Sequence, residues 1–237
     1  MSSSCFGYSA QLIPWVSQSA EQDFLFVKNA LSMISKSKVG YVRVFRPQKT
    51  AAFSTKDSLH RNFVTAKTIA SRLGYEPILR PAGGHLAIYD HRSLILDITA
   101  PHENPGRDII NRYELFSEKI SSYISLLGVD ARIGQVDGEF CPGRFSINSS
   151  SQKKLVGIAQ RITKYGYYLS ALILLEPSPE AIDALSATYK LIDLDFDPSS
   201  HGDLHELVGS GSALNWEECF LSLAMEFFEE QKMDLIL

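Results

Sequence analysis

Apolar residues recur at helical spacing in several stretches of the chain. From Glu21 to Ser35, Phe24, Val27, Leu31 and Ile34 fall on one face of a helix. Lys56 to Leu73 carries Phe63, Ala66, Ala70 and Leu73 in the same way, and Gly74 predicts its stop. The longest stripe, Ile109, Tyr113, Phe116, Ile120, Tyr123 and Leu127, ends at Gly128 and is too short for a coiled coil, so it predicts a core-facing helix. Ile182, Leu185, Tyr189 and Ile192 mark a further helix, and Trp216, Phe220, Leu223 and Phe227 another. Between these lie strand patterns: Tyr41–Phe45, where Val42 and Val44 flank Arg43, then Glu76–Leu79, Leu86–Tyr89 and Ser93–Thr99. Ala131–Ile133, Phe145–Asn148, Leu155–Ile162 and the apolar run YYLSALILL predict strands of one sheet joined by short turns. Strands clustered between long helices, without regular βαβ alternation, predict an α+β fold with a mixed, largely antiparallel sheet flanked by helices.

Composition changes this picture little. The chain has 237 residues, 45% hydrophobic and 21% charged, as in ordinary globular proteins. No apolar run approaches the roughly 18 residues of a membrane span, and MSSSCFGYSAQLIPWV lacks the basic flank and apolar region of a secretory signal. A net charge of −4, with no basic cluster beyond Lys153 and Lys154, argues against a nucleic-acid surface. Three well-separated cysteines, Cys5, Cys141 and Cys219, form neither a disulfide framework nor a metal spacing. A reducing, cytoplasmic setting is the expectation, and thiol chemistry is then available.

The chemistry concentrates in two segments. In EFCPGRFSINSSSQKKLVGIAQR, Cys141 precedes Pro142 and Gly143, which places the thiol on a loop between strands. Free cysteines are more often buried hydrophobes than nucleophiles, and Cys5, in a terminal tail, and Cys219, in a helix, are expected to be inert. Lys154 opens a strand in which Gly157 marks a close backbone approach, so its ammonium can face a carbonyl or phosphate held over Gly157. By residue type alone, a solvated hairpin is the better reading of Lys153 and Lys154. In LRPAGGHLAIYD, Gly83 and Gly84 offer a surface for a ligand, Arg80 an anion contact, and His85 a supporting acid or base or a structural histidine. His91, His102, His201 and His205 show no metal-site spacing, and no metal is expected.

From about Tyr41 to Leu175 the segments resemble, in order, the biotin/lipoate A/B protein ligase family of lipoate–protein ligases and octanoyltransferases. YVRVFRPQKTAAFS resembles the family's opening strand pair, LRPAGGHLAIYD its glycine-rich acyl-binding motif, and KKLVGIAQR the strand bearing its lysine, which falls on Lys154. FCPGRFSIN, with a cysteine ahead of that strand, resembles the branch that moves octanoyl or lipoyl groups through a thioester. His85 stands where many members have a third glycine, Leu79 where ligases often have a second arginine, and SSSQ replaces a glycine-containing turn.

The resemblance implies an acyltransferase that carries an octanoyl or lipoyl group to a lysine of a lipoyl carrier domain. Cys141 would be the nucleophile and Lys154 the cation, acting first on the acyl carbonyl and second on the thiol. Arg80, Gly83, Gly84, His85, Gly157 and Ala159 would line the acyl site. Partners would be the glycine-cleavage H protein, dihydrolipoyl acyltransferase subunits or an acyl carrier protein, with neither nucleic acid nor membrane. No cofactor is required on this reading. The alternatives are an ATP- and Mg-dependent lipoate–protein ligase, and a silent carrier-binding protein. The catalytic domain is expected over residues 1–195, with 196–237 a small helical appendage packed on it.

Overall fold

Two nine-residue strands, β6 (Ser93–Pro101) and β10 (Gly166–Leu174), lie antiparallel at the centre of the protein, with Gly166 opposite Pro101 and Leu174 opposite Ser93. Their residues alternate between two apolar cores. Leu94, Leu96, Ile98 and Ala100 with Tyr167, Leu169, Ala171 and Ile173 face one, while Ile95, Leu172 and Leu174 face the other. Burial on both faces explains why these strands read as unbroken apolar runs.

The computed structural model describes residues 9–209, 215–230 and 234–236. Around the central pair an eight-stranded sheet forms. β2 (Val39–Phe45), β1 (Ser9–Leu12) and β11 (Asp234–Ile236) continue it beyond β6, and β9 (Lys154–Ile162), β8 (Ile147–Ser149) and β7 (Ala131–Ile133) beyond β10. Within this sheet, among the described residues, only the β1–β2 and β1–β11 pairings are parallel. A second sheet of three strands has β3 (Thr50–Phe53) between β4 (Glu76–Leu79) and β5 (Ala87–Tyr89). The sheets are mixed, largely antiparallel and flanked by helices, so the fold is α+β as the pattern predicts.

The first core joins the large sheet to α3 (Ile109–Leu126), the short α5 (Leu204–Val208) and α6 (Trp216–Glu230); Phe116 of α3 meets Phe227 of α6 at 5.2 Å between ring centroids and Tyr123 meets Phe220 at 5.6 Å. The second joins its other face to the small sheet, with α4 (Pro179–Leu191) and α2 (Phe63–Arg72) packed together on that side. The first helix, α1 (Ala20–Ser37), is capped by the Ser19 hydroxyl, which accepts from the Gln22 N–H at 3.2 Å, and lies against β2, β6 and β10. The functional segments meet in the space between the sheets.

Periodicity predicts a helix from Lys56, yet residues 57–59 form a 3-10 turn and α2 begins at Phe63. Ser54 and Asp57 cause this. The Ser54 N–H donates to Asp57 Oδ2 at 2.8 Å and the Asp57 N–H to Ser54 Oγ at 3.1 Å, closing a local turn that competes with the helix. That turn holds Asp57 inward, where the site uses it.

Candidate active site

The loop between β7 and β8 is organised around a buried carboxylate. Glu139 Oε1 accepts from the Gly143 N–H at 3.0 Å, the Ser146 hydroxyl at 2.7 Å and Lys154 Nζ at 3.2 Å, while its Oε2 accepts from the Val136 N–H at 3.1 Å. These bonds hold the following residue pair in a tight bend. Cys141 has φ +43°, a left-handed conformation that costs a non-glycine residue on the order of 1 kcal/mol. Two clamps offset that cost. The Cys141 N–H donates to Tyr189 Oη at 2.7 Å, whose own hydroxyl proton goes to the Leu86 carbonyl at 2.7 Å. From the other side Lys154 Nζ donates to the carbonyls of Phe140 and Cys141 at 2.9 and 3.1 Å.

The sulfur is turned toward a second cation. Arg80 Nη2 lies 3.2 Å from Cys141 Sγ and also reaches the carbonyls of Gly83 and His85, both at 2.7 Å; the His85 N–H points at the same sulfur from 3.2 Å. Burial pushes the Cys141 thiol up, but the Arg80 guanidinium, the Lys154 ammonium and the His85 N–H together outweigh it, and the thiol lies below its ordinary value. Burial likewise lowers Lys154, against the opposing pull of Glu139 and the sulfur. Arg80 and Lys154, both buried, face the one carboxylate of Glu139, an arrangement that favours negative charge on the sulfur.

The sequence-predicted residues converge, with roles the spacing did not reveal. Lys154 is fully buried, so the solvated-hairpin reading fails for it. An ammonium has three donors, and all three are engaged by Glu139, Phe140 and Cys141. A substrate carbonyl reaches this ammonium only by displacing one of those partners, which places the sulfur and its loop before the carbonyl in this state. Gly84, at φ +94°, makes room for the protein's own groups, since a Cβ there would stand 2.6 Å from Cys141 Sγ and 2.8 Å from Arg80 Nη2. Gly157 does the same for the lysine, with a Cβ 3.3 Å from Lys154 Cε. Gly83 has open space beside it, and Ala159 lines the cavity next to the sulfur.

His85 bonds through Nδ1 to Asp57 Oδ1 at 3.0 Å and through Nε2 to Lys56 Nζ at 3.1 Å. Glu139, Tyr189 and Asp57 were missed by sequence reasoning, because a carboxylate in DGEF or STKDS reads as surface and Tyr189 as a core position of a helix. Cys219 sits half-buried on α6, away from this cluster, and Cys5 lies outside the described residues. Burial drives His201 down to about 4, beside the Phe140 ring. Among the described residues no group of three or more His, Cys, Asp or Glu is placed to hold a metal, and no helix is long and apolar enough to cross a membrane.

A cavity of about 30 Å³ opens at the sulfur between Phe24, Ala82, Tyr89, Ile158 and Leu172, room for about two waters. Tyr89 and Tyr168 also border a separate space of about 20 Å³ beside the Arg43–Asp97 ion pair. Outside, a groove of about 590 Å³ runs between α1 and the end of β4. Phe24, half-buried on α1, lines all three. On the opposite side of Arg80, a second groove of about 610 Å³ is bordered by Lys56, Gly84, His85, Pro142 and Arg161.

The chain is 33% identical over 93 residues to an octanoyl-GcvH:protein N-octanoyltransferase of Exiguobacterium sp., covering 39% of this chain and 32% of that one. It is 28% identical over 156 residues to the protein of the same name from Anoxybacillus flavithermus, covering 65% of this chain and 55% of that one. The chain thus spans about a third to just over half the length of these curated relatives. Its fold is similar to that of a lipoate-protein ligase A crystallised with ATP, at TM-score 0.66 and 16% identity over 98% of this chain and 90% of the other. A bipartite lipoate protein ligase from Thermoplasma acidophilum, solved in a study of that ligase and its E2 lipoyl domain, gives TM-score 0.64 and 14% identity over 98% and 88%. Residues 56–197, more than half of the chain and including both the thiol and its two cations, match the family model of the lipoyl protein ligase A/B catalytic domain, and the chain belongs to that family.

Proposed function

We propose that this protein transfers an octanoyl or lipoyl group onto a lysine of a lipoyl carrier domain, through a thioester on Cys141. The observation that carries the reading is the sulfur itself: buried against Arg80 and the His85 N–H, lowered in pKa, and opening onto a small cavity lined by both apolar and polar side chains. The names of the octanoyltransferase relatives point the same way, and GcvH in those names makes the glycine-cleavage H protein the first donor to test.

In the first step the Cys141 thiolate attacks the acyl carbonyl presented by the donor carrier; the C–S bond forms, the C–N bond to the carrier's lysine breaks, and that amine leaves after taking a proton from water, which gives the acyl-enzyme. In the second, an acceptor lysine takes the chain as an amide. Covalent catalysis of this kind replaces one difficult exchange by two easier ones. Ionising the thiol is a modest part of the gain. A thiol of ordinary pKa, about 8.5, is roughly 3% thiolate at pH 7, and full ionisation is partly offset by the weaker nucleophilicity of a less basic sulfur. Fixing the sulfur against Gly84 in one orientation contributes more.

The ATP-dependent alternative is disfavoured by the use of the cations. All three donors of Lys154, and Nη2 of Arg80, are engaged by the thiol and its loop, which favours the thioester reading over one in which these cations hold a nucleoside triphosphate. The catalytic unit in this proposal is residues 1–195, with the segment from 196 supporting it through α6. Incubation with octanoylated carrier followed by intact-mass measurement tests the scheme. The expected result is an octanoyl adduct, removed by hydroxylamine and absent from Cys141→Ala. Full lysine octanoylation by Cys141→Ala in the presence of ATP and free acid would instead establish the ligase.

A further inference from the structure

Moving an acyl group from sulfur to a lysine requires the amine to shed a proton first. At an ordinary pKa near 10.4, only about 0.04% of a lysine is free amine at pH 7. The groups buried at the sulfur are poorly suited to take that proton. Cys141 is the leaving group, Arg80 stays protonated, and Lys154 has its three donors committed to the loop.

His85 has what they lack. Its backbone N–H lies 3.2 Å from the sulfur, so the residue that carries the ring borders any thioester formed there. Its Nδ1 is 3.0 Å from Asp57 Oδ1, a side chain only 1% exposed, and its Nε2 is 3.1 Å from Lys56 Nζ. A carboxylate accepts and an ammonium donates, so Nδ1 carries the proton and Nε2 presents its lone pair. The ring is therefore locked as a base whose free nitrogen faces outward into the groove bordered by Gly84, Pro142 and Arg161. The group against that nitrogen is already a primary ammonium on a four-carbon stem, supplied by the exposed Lys56 of the chain itself.

We infer that His85, oriented by Asp57, is the catalytic base of the second step, and that the acceptor lysine binds with its ammonium where Lys56 now sits, against His85 Nε2. This rests on the thioester reading above. The incoming ammonium gives one proton to Nε2 and attacks the thioester carbon as the free amine. The C–N bond forms, the C–S bond breaks and its electron pair stays on Cys141 sulfur. The leaving thiolate takes the second amine proton, and the imidazolium returns the first to water in the open groove. The charged groups facing the ring are Asp57, Lys56, Arg80 through the His85 carbonyl, and the sulfur.

The test uses the full chain acylated at Cys141 from octanoyl-coenzyme A, then mixed with either a lipoyl carrier domain or hydroxylamine. Hydroxylamine is already unprotonated at neutral pH and needs no base. For His85→Gln the expected result is normal acyl-enzyme formation, unchanged release to hydroxylamine and transfer to lysine slowed about 100-fold, the loss usual for a positioned base. Equal slowing with both acceptors, or lysine transfer at the wild-type rate, would overturn the inference. If His85→Gln melts below the assay temperature, His85→Gly with added imidazole takes its place, and failure of imidazole to restore lysine transfer overturns it. A wild-type protein that never acylates removes the thioester reading, and this inference with it, before either variant is measured.

Discussion

At Gly84 a missing side chain decides where the Cys141 sulfur stands. Any Cβ there would meet Cys141 Sγ at 2.6 Å and Arg80 Nη2 at 2.8 Å, and the φ of +94° adds strain for any other residue. Gly84→Ala is expected to displace the sulfur by a good part of an ångström and slow acyl-enzyme formation about 100-fold, as read by intact-mass time courses. Arg80 sets the ionisation of that sulfur. Burial alone would raise the thiol, and the guanidinium is the leading influence that lowers it. The pH profile of iodoacetamide alkylation at Cys141 should therefore break below the ordinary thiol value near 8.5 and move upward in Arg80→Gln. The sign for stability follows from a folded value below the unfolded one. The contribution is complete above the unfolded thiol value and is lost as the pH falls through the folded one.

Among the elements, α4 reaches furthest into the site, since Tyr189 links the Leu86 carbonyl to the Cys141 N–H across a buried hydroxyl. Tyr189→Phe leaves two buried backbone groups without a partner and is expected to cost about 1–3 kcal/mol in urea denaturation, with faster loss of activity on heating. Sequence reading found this helix and most others because their apolar stripes face one core each. It placed six strands of the large sheet, among them the long β6, β9 and β10, and missed the short edge strands β1 and β11. It did not separate β4 and β5 into a sheet of their own, because local alternation carries no information about pairing partners. β3 escaped the pattern for a plain reason: Thr50, Ala51, Ala52 and Phe53 are all buried and leave no alternation to read. The early start assigned to α2 failed because two short polar side chains, Ser54 and Asp57, bind each other's backbone.

Over the whole molecule, the site was half legible. Cys141 and Lys154 stood out by type and loop context, and Arg80 and Gly84 by motif. The buried carboxylates Glu139 and Asp57 did not, since only the tertiary fold takes them out of water. The same holds for α6, whose apolar stripe was plain while its place on the first core was not. There Phe220 is fully buried between Tyr123 and the neighbouring Trp216. Phe220→Ala should cost about 3–5 kcal/mol in a chemical melt while leaving the reactivity of Cys141 in the remaining folded protein unchanged. One aromatic residue governs the interior from outside. Phe24 borders the sulfur cavity, the small space beside the Arg43–Asp97 ion pair and the wide outer groove alike, the position of a stopper in a flask. On the proposed mechanism a thioester behind it would be shielded from bulk solvent, and Phe24→Ala should let the loaded acyl chain leak away as free fatty acid, about tenfold faster than from the wild type, when no acceptor is present.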